Sequence, residues 1–342
     1  MIVTVTPNPA LDLTWHVASL TVGDTHRADA GQVRAGGKGL NVARVAYAQG
    51  ADAVAVTTTG GATGAEFAVE LASSGVPHVL VPVAAFTRRS VAVVDEALGD
   101  TTIVNERGVA PSSTEWRTLR EAVARALGAA GAGAPDPHAP GDAPGDARVL
   151  VISGSLPPGI PDDALPDLIR LGREAGATVI ADTSGPALLT AADAGASVLK
   201  PNEHELRDAT GLDDPVAGAR ELIRRGAGLV LLSLGADGML AVTPTASGDV
   251  DVLHARLGEA LAGNPTGAGD AAVAACAVLM DAGIHDPAQV LRRATAWSAA
   301  AVLMPLAGEI HPSWPELESA LTVTARPAGS AADPAPHPEE TR

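Results

Sequence analysis

The sequence predicts an α/β fold: a mostly parallel sheet buried between helices, with a small second sheet beside it. Three observations carry this. Short runs rich in Val, Ile and Leu alternate with Ala- and Leu-rich stretches of helical length, and such alternation implies a parallel sheet covered by helices. The strand runs are continuously apolar, as strands buried on both faces must be. Two stretches, Asp12–Arg34 and Thr87–Glu106, stand outside the alternation.

In chain order, strands are expected at Ile2–Val5, Val54–Thr58, Val79–Val83, Val91–Val94, Val149–Ile152, Val179–Ala181, Val198–Leu199, Leu229–Leu232 and Leu240–Val242. Helices are expected at Gly39–Gln49, Ala65–Ser73, Ser113–Leu127, Asp163–Glu174, Val216–Arg225, Asp270–Ala282 and Pro287–Met304. Thr87–Glu106 reads as two strands, Ser90–Asp95 and Thr101–Asn105, with a hairpin turn at Gly99-Asp100. Together with 12–34, residues 87–106 point to a small separate sheet able to act as a lid. Two segments do not suit a packed core. Gly128–Asp146 is rich in Ala, Gly and Pro and reads as a flexible insertion, residues 128–146. Residues 325–342 have the same character and read as a disordered tail, leaving 1–324 as the folded region.

A chain of 342 residues can form one α/β unit. Aromatic residues make up only 2% of it, so Ala, Val, Leu and Ile must fill the core. The net charge of −17 repels nucleic-acid phosphates, which argues against a nucleic-acid partner. It also repels anionic metabolites, so a phosphorylated ligand must be drawn in by local Lys and Arg residues and helix N-termini. The single cysteine, Cys276, lies in the apolar run Ala271–Met280 and reads as a core residue. That run is too short to span a bilayer, and Met1–Val5 begins as a strand without a basic leader. A cytoplasmic protein with no membrane partner is expected.

Four stretches can carry chemistry. In Asn264-Pro265-Thr266-Gly267-Ala268-Gly269-Asp270, glycines lead into a helix whose first N–H groups lack internal partners, which makes an anion hole. Asp270 at its mouth can accept a proton from an attacking hydroxyl, or can simply cap the helix. Gly36-Gly37-Lys38-Gly39-Leu40-Asn41 is a second glycine turn before a helix, with a mobile cation in Lys38. It lacks the spacing of a Walker A loop and can also be a plain turn with a surface lysine. In Lys200-Pro201-Asn202-Glu203-His204-Glu205, the three-residue spacing puts Asn202 and Glu205 on one helix face. They can hold a hydrated Mg²⁺ through water, or cap the helix reciprocally. Ser233-Leu234-Gly235-Ala236-Asp237-Gly238 follows an apolar strand, where open sheets bind ligands, though a strand-to-strand turn looks the same. Asp12 can accept hydrogen bonds from sugar hydroxyls or be a plain loop acid, and Arg88 can pair with a phosphate or simply be solvated.

Taken in order, TPNPALD, GGKGLNVAR, TRRSV, NERG, SGSLPPG, KPNEHE, SLGADG and PTGAGDA resemble the PfkB branch of the ribokinase-like carbohydrate kinases. The resemblance runs from residue 1 to about residue 310 and is nearest the 1-phosphofructokinase and tagatose-6-phosphate kinase branch. It implies a three-layer α/β/α ribokinase-like fold with a small β-sheet lid, which often clasps a second subunit in a homodimer. It implies Asp270 as the base, with Gly267, Ala268 and Gly269 as the anion hole for the γ-phosphate of ATP. Asn202 and Glu205 would be linked to Mg²⁺, and Lys200 would lie near the nucleotide phosphates. Ser233, Gly235 and Gly238 would lie against the nucleotide. Asp12, Gly36, Gly37, Asn41 and Asn105 would bind the sugar, and Lys38 and Arg88 its phosphate end.

The activity this implies is ATP-dependent phosphorylation of a ketohexose phosphate, fructose 1-phosphate first, then fructose 6-phosphate or tagatose 6-phosphate. Two other readings stay open. The acceptor can be an unphosphorylated sugar or a nucleoside, although neither needs Lys38 and Arg88. The chain can also be a non-catalytic sugar-phosphate-binding protein, which would leave Asp270 and its glycines without a role.

Overall fold

Every residue of the first strand, β1 (Ile2–Thr6), is buried, as its apolar run requires. The structure, a computed structural model, describes residues 1–128 and 149–326. After β1 come β2 (Ala10–Val17), β3 (Gln32–Gly36), α1 (Lys38–Ala48), β4 (Ala53–Thr59), α2 (Gly61–Ser73) and β5 (His78–Pro82). A hairpin of β6 (Arg88–Asp95) and β7 (Asp100–Asn105) precedes α3 (Ser113–Ala126). The alternation resumes with β8 (Val149–Ser153), α4 (Ala164–Glu174), β9 (Thr178–Asp182), α5 (Pro186–Asp193) and β10 (Val198–Leu199). It continues through α6 (Glu203–Thr210), α7 (Pro215–Arg225) and β11 (Leu229–Ser233). The chain then runs through β12 (Met239–Pro244), β13 (Val250–Arg256), α8 (Ala268–Asp281), α9 (Pro287–Val302), α10 (Trp314–Ala320) and β14 (Thr322–Arg326).

Ten strands form the main sheet, in the order β14-β13-β12-β11-β10-β9-β8-β1-β4-β5. Pairing is parallel from β11 to β5 and antiparallel from β11 to β14. Alternate residues of the parallel strands feed two helix layers. Ile2, Val149, Val151 and Ile180 pack with Val42, Ala274 and Trp297 of α1, α8 and α9. Their neighbours Val3, Leu150, Ile152 and Val179 pack with Leu119, Leu168 and Leu222 of α3, α4 and α7. The layered expectation therefore holds. α8 is buried nearly all round, and its run of alanines lets α1 and α9 approach it closely.

The second sheet has the order β3-β2-β6-β7. Its register sets two rows on opposite faces: Arg34, Asp12, Ser90 and Asn105 on one, Val33, Leu13, Val91 and Val104 on the other. The β6–β7 turn closes through Gly99, which has φ of 67° and donates its N–H to Asp95 O at 2.8 Å.

One boundary is corrected. The tail expected to be disordered from Ala325 begins inside β14, where Ala325 and Arg326 pair with Leu253 and Val252 of β13. The rest of that tail, and the expected insertion beyond Gly128, lie outside the described residues. Among the described residues, no helix is long and apolar enough to cross a membrane.

Candidate active site

The C-terminal ends of the parallel strands and the polar face of the small sheet enclose a cleft of about 1270 Å³. Asn8 follows β1, Ser155 follows β8, Lys200 follows β10, and Ser233 ends β11; all four line it. So do Asp12, Gly37, Lys38, Asn41, Arg88, Asn105, Asn202, Glu205, Gly235, Gly238, Gly267, Ala268, Gly269 and Asp270. Of the candidate residues only Gly36 is absent from the lining, and the reason is physical. A Cβ on Gly36 would occupy the place of the Asp12 carboxylate.

Asp270 lies in the first turn of α8 and is 5% exposed. It does not cap the helix: Gly267 holds that position, with φ of 87° and no side-chain bond. Gly267 packs so closely on Ala307 that no Cβ fits. The Asp270 carboxylate instead accepts a hydrogen bond from Asn41 Nδ2 at 2.8 Å. Burial pushes its pKa up to about 7, with Lys38 pulling the other way and Asp182 adding to the rise.

The first turn of α8 also lies close against a cation. A Cβ on Gly269 would come within 2.9 Å of Lys200 Nζ. Lys38 Nζ sits 3.4 Å from Asp182 Oδ1 and 3.5 Å from Glu205 Oε1, so its ammonium lies between the ends of β9 and α6. Asp182 raises the Lys38 pKa, with burial opposing it. Asn202 and Glu205 form a reciprocal cap on α6: Glu205 N donates to Asn202 Oδ1 at 2.8 Å, and Asn202 N donates to Glu205 Oε2 at 2.9 Å. Glu205 Oε1 is left facing Lys38.

At the other end of the cleft, Arg88 donates to Asn8 O at 3.2 Å and to Glu106 O at 3.1 Å. Burial raises the pKa of Asp12 to about 6, and the nearby Arg88, Arg34 and Arg44 restrain the rise. Ser233–Gly238 is the turn between antiparallel β11 and β12, and Ser233, Gly235 and Gly238 in it line the cleft.

Residues 6–314 match the family model described as pfkB family carbohydrate kinase. The chain belongs to the PfkB family of carbohydrate kinases. It is therefore a phosphotransferase acting on a sugar hydroxyl, in a family that uses ATP as donor. It is 35% identical to the 1-phosphofructokinase of Rhodobacter capsulatus, over 93% of each chain. It is 34% identical to the ATP-dependent 6-phosphofructokinase isozyme 2 of Mycobacterium tuberculosis, over 82% of this chain and 78% of that one. Phosphofructokinase-2 from Escherichia coli in complex with fructose-6-phosphate superposes with a TM-score of 0.78 and 29% identity, covering 93% of this chain and 98% of that one.

This PfkB kinase also carries residues in and behind the cleft wall that the sequence did not single out. Asp182, fully buried at the end of β9 behind that wall, is one: Ser153 Oγ donates to its Oδ2 at 3.0 Å, and Lys200 lies 3.9 Å from Oδ1. Burial pushes its carboxyl up, but Lys38, Lys200 and the Ser153 hydrogen bond outweigh that and hold it below the usual range. An acid closing the apolar run Thr178–Asp182 was the available signal, since strand ends in parallel sheets face ligands. Arg107 and Ser155 also line the cleft. The Asn8 side chain joins them, donating to Arg107 O and Ser155 Oγ, each at 3.1 Å.

Proposed function

We propose that this kinase transfers the γ-phosphoryl group of ATP to a hydroxyl of a ketohexose phosphate, fructose 1-phosphate first, with Asp270 as the base. The observation that carries the reading is the position of Asp270. Its carboxylate is held by Asn41 at the mouth of a helix N-terminus, in one cleft with Asp12, Lys38 and Asn202. A carboxylate whose pKa is about 7 suits proton acceptance at neutral pH.

The roles follow from placement. Asp12, beneath which Gly36 leaves space, accepts hydrogen bonds from sugar hydroxyls, with Gly37, Asn41 and Asn105 around it. Arg88, backed by Asn8 and Glu106, takes the sugar's phosphate. Main-chain N–H groups of Gly267, Ala268 and Gly269 face the charge that grows on the transferring group. Lys38, read from the sequence as a contact of the sugar's phosphate end, stands instead with Asp182 and Glu205 and, with Lys200, flanks the transferring group from the other side. Ser233, Gly235 and Gly238 lie along the nucleotide. Water excluded by the small sheet, acting as a lid, can no longer compete with the sugar.

Mg²⁺ fits this donor set in one manner only. Among the described residues no group of three or more His, Cys, Asp or Glu makes a metal cage. Asn202 and Glu205 each spend one oxygen on the α6 cap, and Glu205 Oε1, which faces Lys38, is the oxygen that would hold a coordinated water. That suits an ion that keeps its water and is bound chiefly through phosphates. When bound, it offsets phosphate charge.

Fructose 1-phosphate is placed ahead of fructose 6-phosphate and tagatose 6-phosphate because the 1-phosphofructokinase relative is matched over more of the chain. The protein works in the cytoplasm and pairs as a homodimer through the small sheet. The test is a panel of fructose 1-phosphate, fructose 6-phosphate, tagatose 6-phosphate and free hexoses, scored by kcat/KM for ADP release. The highest value is expected for fructose 1-phosphate; the highest for a free hexose would overturn the reading.

A further inference from the structure

Asp182 occupies an unusual place. It is 0% exposed and does not line the cleft, so no ligand can reach it. Yet its two oxygens tie together three elements that do reach the cleft. Oδ2 is fixed by Ser153 at the end of β8. Oδ1 lies 3.4 Å from Lys38, at the start of α1, and 3.9 Å from Lys200, just past β10. A buried carboxylate shared between two ammonium groups cancels their mutual repulsion and fixes where each points. Without it, the one carboxylate left within 4 Å of Lys38 among the described residues is Glu205, which α6 presents from another side, with Asp270 acting from farther off.

We infer that Asp182 is a positioning residue, which holds the ammonium groups of Lys38 and Lys200 side by side at the point where the phosphoryl group changes partners. This deepens the kinase reading and rests on it. Asp182 makes no contact with substrate; it acts through the lysines. It also acts on Asp270. The charged groups around that base are Lys38 from α1, Lys200 beyond β10 and Asp182 from β9, and Asp182 works with burial to keep its proton affinity high. Removing the Asp182 charge leaves two cations beside Asp270, so the base then ionises at lower pH.

The full-length Asp182→Asn variant keeps the volume and the Ser153 contact. It is expected to lower kcat at least about tenfold and to move the acid limb of the pH profile downward. In a Lys38→Met background the same change is expected to cost less than about threefold, because the residue it positions is gone. Equal losses in both backgrounds, or an unmoved acid limb, overturn the inference. Should Asp182→Asn fail to fold by circular dichroism, Ser153→Ala serves: it keeps the charge but frees Oδ2. A drop in kcat of about threefold or more supports the role, and unchanged kcat overturns it. The lysine side-chain resonances of the ligand-free protein separate this inference from the kinase reading. At one fixed pH the Lys38 and Lys200 resonances should both move in Asp182→Asn whether or not any sugar is phosphorylated, because the carboxylate that fixes their positions is gone, and unmoved resonances overturn the positioning role. A wild-type protein that phosphorylates nothing overturns the kinase reading alone.

Discussion

Two carboxylates divide the cleft, and their surroundings set different tasks. Asp270 is enclosed by α1 and α8, and burial lifts its pKa to about 7. As the proposed base it must be ionised, so kcat/KM should fall on the acid side with an apparent pKa near 7. Asp270→Asn should lower kcat by about 10²- to 10⁴-fold and leave ATP affinity nearly intact; near-normal turnover refutes the base. The same shift has a consequence for stability. The folded state favours the protonated carboxyl, so its stabilising contribution is complete below 3.8 and is lost as pH rises through about 7. Asn does not ionise, so the melting temperature of Asp270→Asn should gain on wild type across that window and level off above it. Thermal melts through the window check this, and a pH-independent difference contradicts it. Asp12 depends on a missing side chain instead. In Gly36→Ala the new methyl displaces the Asp12 carboxylate. KM for the sugar should rise about tenfold or more with KM for ATP unchanged; equal changes in both would place Asp12 elsewhere than at the sugar.

Two helices start with the same device for different ends. Ser112 and Glu115 form a capping box on α3, outside the cleft lining, and Asn202 and Glu205 form one on α6, within it. Removing either cap should cost about 1 kcal/mol of stability in denaturant unfolding. Ser112→Ala should keep full activity. Asn202→Ala should also weaken ATP binding, because Glu205 loses the anchor that points its free oxygen at Lys38. Equal kinetics in the two variants would reduce the α6 box to a cap alone. The sequence made the parallel half of the fold legible because strands buried on both faces, such as Val149–Ser153, leave continuous apolar runs. It hid β13, whose Val250, Val252 and Ala255 are buried among exposed neighbours, and β14, which is mostly exposed. The helices α5, α6 and α10 have only 8, 8 and 7 residues, too few for a 3.6-residue period to show. The glycine turns revealed most of the cleft, since glycine marks close backbone approach. Asp182 stayed hidden because one acid after an apolar strand looks like any strand end until β8 and α1 are brought beside it.

At the scale of the whole molecule, the charge of −17 and the small sheet pose linked problems. A strongly negative surface opposes self-association and anionic substrates alike, so each must be met by a local feature. For the proposed substrates, those features are Arg88 at one end of the cleft and Lys38 with Lys200 at the other. For the proposed association, it is the row Val33, Leu13, Val91 and Val104, which crosses all four strands opposite Asp12, with Leu13 half-buried against the core. Val104 is 64% exposed and Val33 39% exposed. Neighbouring Trp15, Val17 and Val93 line a shallow hollow on the same sheet. A continuous apolar face on a four-stranded sheet loses its water best against a second sheet of the same kind, and a row that lies on both copies gives a self-complementary contact. Val91→Asp puts a charge at the centre of that row without touching the cleft face, where Ser90 stands. It should weaken dimerisation by about 100-fold or more, read by sedimentation at micromolar concentration. If the lid is held in shape by its partner, the resulting monomer should also show a higher KM for the sugar phosphate than for ATP, relative to wild type. A variant that remains dimeric would move the contact off this sheet, and a monomer with unaltered KM would leave the sheet as a lid that needs no partner.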